Sequence, residues 1–188
     1  MKKKLGFAMC GSFCTHERSL DVMRSLADEY EIIPILSEMA SSTDTRFGTA
    51  VMLRERVSGI CGRDPVLTIK EAERFGPAEP LDYMIICPCT GNTAAKIAGG
   101  ITDTTVTMAA KAHLRCDRHL LISLATNDAM SGNIVNIGTL LQRKNVWFVP
   151  MKQDDIVSKP HSLVADFSQC RECLELMKQG LQKRPLFI

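Results

Sequence analysis

Apolar residues in this chain gather in short unbroken runs, separated by stretches in which they recur every three or four positions. The runs are Lys4 to Cys10 (KLGFAMC), Ile32 to Leu36 (IIPIL), Tyr83 to Cys87 (YMIIC), His119 to Leu124 (HLLISL) and Asn145 to Val149 (NVWFV). Runs that are apolar at consecutive positions mark strands covered on both faces, as in a parallel sheet. Pro34 lacks a donor for a ladder, which places the second run at a sheet edge or a strand end. Between the runs, Leu20, Met23, Leu26 and Ala27 predict a helix over roughly 17–29. Similar spacing predicts helices over 47–57, 92–98, 103–114 and 133–142, with Gly99-Gly100 separating the third from the fourth, and a helical tail over 163–181. The stretch 58–80 carries three Gly and three Pro and reads as irregular apart from a short helical piece near 69–75. Strand–helix alternation of this kind predicts an α/β fold with a doubly wound, Rossmann-like or flavodoxin-like parallel sheet in three layers. One domain is expected over 1–188, with the sheet core reaching to about 150 and a C-terminal loop and helix over 151–188.

Composition narrows the class. With 188 residues, 45% hydrophobic and 23% charged, the chain has enough apolar surface to offset its ordering entropy and is not a disordered segment. No run approaches the 18 or so apolar residues a membrane span needs. A net charge of +2 is too small to drive binding to a nucleic-acid backbone. The start, MKKKLGFAMCGSF, has a basic tip but only a short apolar stretch, so a cytoplasmic protein with reduced thiols is expected. Eight cysteines then need explaining. The pairs Cys87/Cys89 and Cys170/Cys173 are far apart in sequence, and the members of the first are expected on opposite sides of their strand end. No metal site and no thioredoxin-like redox motif is expected from them. Buried or half-buried free thiols are.

In open parallel sheets, ligands bind outside the carboxyl ends of the strands. Four segments follow four of the predicted strands, and each is rich in small hydroxyl and amide side chains. They are Gly11-Ser12-Phe13-Cys14-Thr15-His16, Ser37 to Thr43, Pro88-Cys89-Thr90-Gly91-Asn92-Thr93, and Ala125-Thr126-Asn127-Asp128-Ala129-Met130. Free amides at a helix start, the helix dipole and hydroxyl donors together suit a phosphate. One such loop is explained by helix capping alone. Four at successive strand ends favour a bound mononucleotide. The spaced glycines of a dinucleotide fingerprint are missing, as is the Gly-Lys-Ser/Thr of a P-loop.

The segment from Pro88 to Asp103 resembles the signature of the homo-oligomeric FMN-binding flavoprotein family, which includes cysteine decarboxylases and flavin prenyltransferases. That signature reads Pro-x-Ser-x-Asn-Thr and then Ala-x-Gly-x-x-Asp, and here Thr90 stands in place of the Ser. Gly11-Ser12-Phe13 and Ser37-Glu38-Met39-Ala40 add to the likeness. The resemblance implies FMN as cofactor, with Gly11, Ser12, Phe13 and Ser37 toward its phosphate. It implies Thr90, Gly91, Thr93, Thr126 and Asn127 along the flavin, Asn92 at the reaction centre, and Asp103 fixing the flavin or a loop of a neighbouring copy. It also implies a homo-oligomer, a trimer or a multiple of trimers.

The decarboxylases carry Pro-x-Met-Asn after the fourth strand; this chain has Ala125 to Asn133 (ATNDAMSGN) there instead. That segment, with Thr104 to Arg115, Asn136-Ile137-Gly138, Phe148 to Asp155 and Lys159 to Leu163, resembles a branch of the family nearly from end to end. Members of that branch form one half of a two-subunit oxidoreductase. The resemblance implies oxidation of a dihydro precursor to dipicolinate (pyridine-2,6-dicarboxylate) in a sporulating mother cell, beside an A subunit that binds NADP. Such a reaction needs a proton acceptor and cations for two carboxylates. His16, with an ordinary pKa near 6.5, is the candidate base. Arg115, Lys152 and Lys159 are the candidate carboxylate ligands, with Lys111 read as part of a solvated helix face. The other readings are a flavin-dependent decarboxylase or prenyltransferase, and a flavin-binding partner without chemistry of its own.

Overall fold

The structure, a computed structural model, describes residues 2–188. Among the described residues seven strands form one sheet, β1 (Lys3–Met9), β2 (Tyr30–Leu36), β3 (Tyr83–Cys89), β4 (Leu120–Thr126), β5 (Val146–Phe148), β6 (Met151–Lys152) and β7 (Leu163–Ala165). The first five are parallel in the order β2-β1-β3-β4-β5. That is the flavodoxin-like order, with its switch point between β1 and β3. β4 pairs with β5 along Leu120 to Ile122, while its far end at Ala125 and Thr126 pairs antiparallel with β7, which carries β6. The hairpin β6–β7 therefore extends the sheet only beside the carboxyl end of β4.

Eight helices cover the two faces among the described residues: α1 (His16–Ala27), α2 (Glu38–Ser42), α3 (Ala50–Cys61), α4 (Ile69–Ala72), α5 (Gly91–Gly99), α6 (Thr105–Leu114), α7 (Ile134–Leu141) and α8 (Cys170–Lys178). One face packs Leu5, Phe7 and Met9 of β1 against Leu20, Met23 and Leu26 of α1, Leu53 and Val57 of α3, and Leu174 and Met177 of α8. The other packs Met84, Ile86, Leu120 and Ile122 against Ala94 and Ile97 of α5, Val106 and Ala109 of α6, and Ile137 and Leu140 of α7. Burial on both sides is why the strands read as continuous apolar runs. Each fully buried Leu, Ile or Phe contributes about 1.5–3 kcal/mol.

Pro34 stands in the edge strand, as the sequence suggests. Its carbonyl faces away from β1 and accepts from Val66 N at 2.9 Å, while Leu36 N donates to Val66 O at 3.0 Å. The missing Pro34 donor thus lies on the outer edge, where no ladder bond is lost. In β3 the pairing to β4 shifts between Ile86 and Cys89, so the strand gains one residue on its partner. The shift puts Cys87 on the α1 face and Cys89 on the α5 face, opposite sides of the sheet. All eight cysteines are free thiols, five of them buried.

The tail departs from the helix expected over 163–181. Leu163 to Ala165 is strand β7, a turn follows at Phe167–Gln169, and α8 occupies only Cys170–Lys178. Asp166 accounts for the break, because its carboxylate accepts from Ser168 N and Gln169 Nε2 and starts a new helical segment there. Helix α2 is an addition that the apolar periodicity does not reveal. No helix among the described residues is long and apolar enough to cross a membrane.

Candidate functional site

The carboxyl ends of β1, β3 and β4 open into a cleft of about 700 Å³ lined by Gly11, Ser12, Thr90, Gly91, Asn92, Thr126, Asn127 and Asp128. Its far wall comes from the C-terminal hairpin, with Asp154, Lys159, Ser162 and Val164. A second chamber of about 370 Å³ adjoins it and shares Gly11, Thr90 and Asn92. That chamber continues to Ser37, Glu38, Met39, Thr93, Lys96 and Asp103. Ligand sites of this fold lie at this edge of the sheet, and each volume is in the usual range for a small-molecule site.

Backbone bonds tie the loops together. Cys10 N donates to Pro88 O, and Ser37 N to Met9 O, both at 3.0 Å. Thr90 caps α5, its hydroxyl accepting from Thr93 N at 3.3 Å and donating to Thr93 Oγ1 at 3.1 Å. Thr93 Oγ1 in turn meets Cys10 Sγ at 3.3 Å. Burial pushes the Cys10 thiol up to about 11, so it is a neutral, packed group at neutral pH. Capping uses one amide of the first turn of α5 and leaves Gly91 and Asn92 N–H at the cleft, where the helix dipole adds partial positive charge. Neither the Asn92 amide side chain nor the Ser12 hydroxyl has a hydrogen-bond partner among the described residues, and both face the cleft.

The fourth loop builds a network. The Asp128 carboxylate accepts from Thr126 Oγ1 through one oxygen and from Asn133 Nδ2, at 2.8 Å, through the other. Asn136 Nδ2 then donates to Asn133 Oδ1 at 2.9 Å. This network packs directly on Gly91: a Cβ there would lie 2.5 Å from both Asn133 Nδ2 and Thr126 Oγ1, and 2.8 Å from Asp128 Oδ1. Gly91 is therefore needed for close approach between α5 and the fourth loop. Across the second chamber, Glu38 Oε1 accepts from Thr105 N and Thr105 Oγ1, each at 2.8 Å, and anchors the start of α6. Lys96 and Asp103 form an ion pair at 2.8 Å on its rim.

The structure brings Gly11, Ser12, Ser37, Thr90, Gly91, Asn92, Thr93, Asp103, Thr126, Asn127 and Lys159 to these two chambers. It separates four expected site residues from them. His16 and Phe13 line a smaller cavity against α3, their rings 5.3 Å apart. His16 Nε2–H donates to Cys10 O at 2.8 Å, and burial holds its pKa below the ordinary value, so the ring closes the first loop instead of facing the cleft. Arg115 lies at the opposite end of the sheet, its guanidinium filling the space beside Gly76. A helix that leads into the next strand ends at the amino edge of the sheet, which is where the end of α6 puts Arg115. Lys152 is exposed on β6 and is not among the cleft residues. Lys159 does line the cleft, paired with Asp154 at 2.7 Å; both are well exposed, so the pair is weak and Lys159 can exchange partners.

Asp128, Asn133, Glu38 and Arg18 are site residues that sequence reasoning did not single out. Asp128 and Glu38 follow predicted strand ends directly, which is the signal that could have found them. Among the described residues no group of three or more His, Cys, Asp or Glu is placed to hold a metal ion.

The B subunit of dipicolinate synthase from Bacillus subtilis (strain 168) is 38% identical over 183 residues, covering 96% of this chain and 92% of that protein. The crystal structure of the dipicolinate synthase B subunit from Bacillus halodurans C superimposes with a TM-score of 0.90 at 36% identity, covering 100% of this chain and 98% of that one. A dodecameric FMN-dependent UbiX-like decarboxylase from Escherichia coli O157:H7 shares the fold at 23% identity and a TM-score of 0.65, over 78% of this chain and 79% of that one. The chain is thus a homologue of the dipicolinate synthase B subunit. Since residues 1–173 match the Flavoprotein family, the chain belongs to that family.

Proposed function

We propose that the chain is the B-type half of a two-subunit dipicolinate synthase, acting beside an NADP-binding A subunit in the mother-cell cytoplasm during sporulation. The observation that carries this reading is identity of 38% over 183 residues, nearly the full length of both proteins. The reaction removes a hydride and a proton from a dihydrodipicolinate-level precursor and leaves the aromatic pyridine-2,6-dicarboxylate. NADP+ on the A subunit is the final hydride acceptor and becomes NADPH; the proton passes to a base or to water.

Within this reading the cleft orients the ring. Asn92 Nδ2 and the first amides of α5 donate to a carboxylate of the substrate, and Val164 offers an apolar surface to its ring. FMN is the cofactor that the family implies, and the donor set fits it in kind. Ser12, Asn92 and the α5 amides are uncommitted, and Gly11 keeps a side chain out of a close approach, since a Cβ there would crowd Met39 Cβ at 3.2 Å. When bound, FMN supplies a two-electron acceptor. The chain is further proposed to assemble as a homo-oligomer, a trimer or a multiple of trimers, as the flavoprotein resemblance implies.

The flavin-dependent decarboxylase reading is weaker here. The stretch that would hold the decarboxylase Asn is occupied by the closed Thr126–Asp128–Asn133 network. The test is reconstitution: the purified chain, an A-subunit homologue, NADP+ and dihydrodipicolinate-level substrate, followed by absorbance of pyridine dicarboxylate. Formation that depends on both proteins is expected. Undiminished formation by the A subunit alone would overturn the proposal.

A further inference from the structure

Three cations line the two chambers: Lys159, Lys96 and Arg18. Lys159 is paired with Asp154 and Lys96 with Asp103. Arg18, in the first turn of α1 and on the cleft wall, has no carboxylate partner and no hydrogen bond among the described residues. Its guanidinium lies over the Phe167 ring, 4.9 Å from the centroid. The cleft's own carboxylates are satisfied elsewhere, Asp154 by Lys159 and Asp128 by Thr126 and Asn133.

We propose that Arg18 is the residue of this cleft that binds one carboxylate of the dicarboxylate ligand and so selects a diacid over a monoacid; this rests on the dipicolinate synthase reading. The cation–π contact with Phe167 holds the guanidinium in place, and no hydrogen bond uses its N–H groups among the described residues. The N–H edge of a guanidinium matches a carboxylate in two parallel charge-assisted bonds, a geometry that lysine cannot supply. Phe167 follows β7 and Arg18 follows the first loop, so the stack also joins the C-terminal segment to the β1 side of the cleft. Stacking fixes a long side chain before the ligand arrives and reduces the ordering cost of binding. Val164 offers an apolar surface in the same cleft for the ring between the two carboxylates.

The test compares binding of pyridine-2,6-dicarboxylate and pyridine-2-carboxylate to the purified chain, by calorimetry, for the native protein and the variants R18A, R18K and F167L. Arg18 is exposed, so R18A is expected to fold, and its thermal midpoint checks this. The native chain should prefer the diacid by about 30-fold, the size of one charge-assisted bidentate contact. R18A should lose that preference with little change in monoacid binding, R18K should recover only part of it, and F167L should lie between R18K and the native chain. Equal binding of the two acids by the native chain, or an unchanged preference in R18A, would overturn the assignment. So would loss of FMN retention in R18A with the diacid preference intact, which would make Arg18 a phosphate ligand. A diacid preference that depends on Arg18, together with no product in the reconstituted reaction, would uphold Arg18 and count against the synthase reading instead.

Discussion

The two ends of the sheet use similar polar side chains for opposite purposes. At the amino edge several polar side chains close the fold. Asp82 accepts from Lys4 N at 2.8 Å and pairs with Lys3 at 3.1 Å, Arg118 donates to Leu81 O, and His113 donates to His119 O at 2.8 Å. Arg115 packs beside Gly76. At the carboxyl edge donors are held in place but left uncommitted: the Ser12 hydroxyl, the Asn92 amide, the first amides of α5 and the Arg18 guanidinium. A parallel sheet produces this asymmetry, because helices begin at its carboxyl edge and present free N–H groups there. Residue type alone therefore does not locate a site; the end of the strand does.

The largest effect is expected from closing the carboxyl edge sterically. Gly91→Ala is expected to cost about 2–3 kcal/mol, read as a lower denaturation midpoint in urea, because its Cβ collides with Thr126, Asp128 and Asn133. Binding in the cleft should fall with it. An unchanged midpoint would mean that the fourth loop does not pack on α5 as described.

The amino edge has its own signature in pH. His113 is fully buried, and burial lowers its pKa from 6.5 to about 4. Between those values the unfolded chain binds a proton that the folded one does not, so stability falls as pH drops from 6.5 towards 4. The loss from this group is about 3 kcal/mol over that window. His113→Gln keeps a donor for His119 O and should flatten the slope of unfolding free energy against pH over that window. A slope identical to the native one would show that His113 does not drive it.

Smaller effects on stability separate the two edges further. Asn92→Ala should lower dipicolinate formation at least about tenfold while changing stability by less than about 0.5 kcal/mol, since its side chain supports nothing in the fold. The smallest effect is expected for Arg115→Ala, which should leave the rate within about twofold and cost at most about 1 kcal/mol from lost packing. A large drop in rate for Arg115→Ala at unchanged stability would place chemistry at the wrong edge.

The sheet was legible because its strands are buried on both faces, so KLGFAMC, YMIIC and HLLISL stand out whatever their surroundings. The C-terminal hairpin was not. Leu163-Val164-Ala165 is three apolar residues, which fit a helical turn as well as a short strand, and only pairing with β4 decides between them. The loops of the site were legible from their position after strands and from the Asn92-Thr93 to Asp103 signature. Arg115 and His16 were misplaced for different reasons. Arg115 precedes a strand, and the direction of α6 alone would have placed it at the amino edge. His16 does follow β1, but its ring turns back to the Cys10 carbonyl, a contact that no spacing reveals. An exposed Arg on a helix is ordinarily solvated, so spacing does not single out Arg18; its contact with Phe167 joins positions about 150 residues apart.

In the proposed function, the carboxyl edge of this chain, and not its amino edge, takes part in making dipicolinate with an A subunit. The most direct test measures the initial rate of pyridine-2,6-dicarboxylate formation by the A subunit with NADP+, in parallel with the native chain, Asn92→Ala, Arg115→Ala and no added chain. Full rate is expected with the native chain and with Arg115→Ala, a rate at least about tenfold lower with Asn92→Ala, and little product without the chain. Equal rates in all four reactions would contradict it.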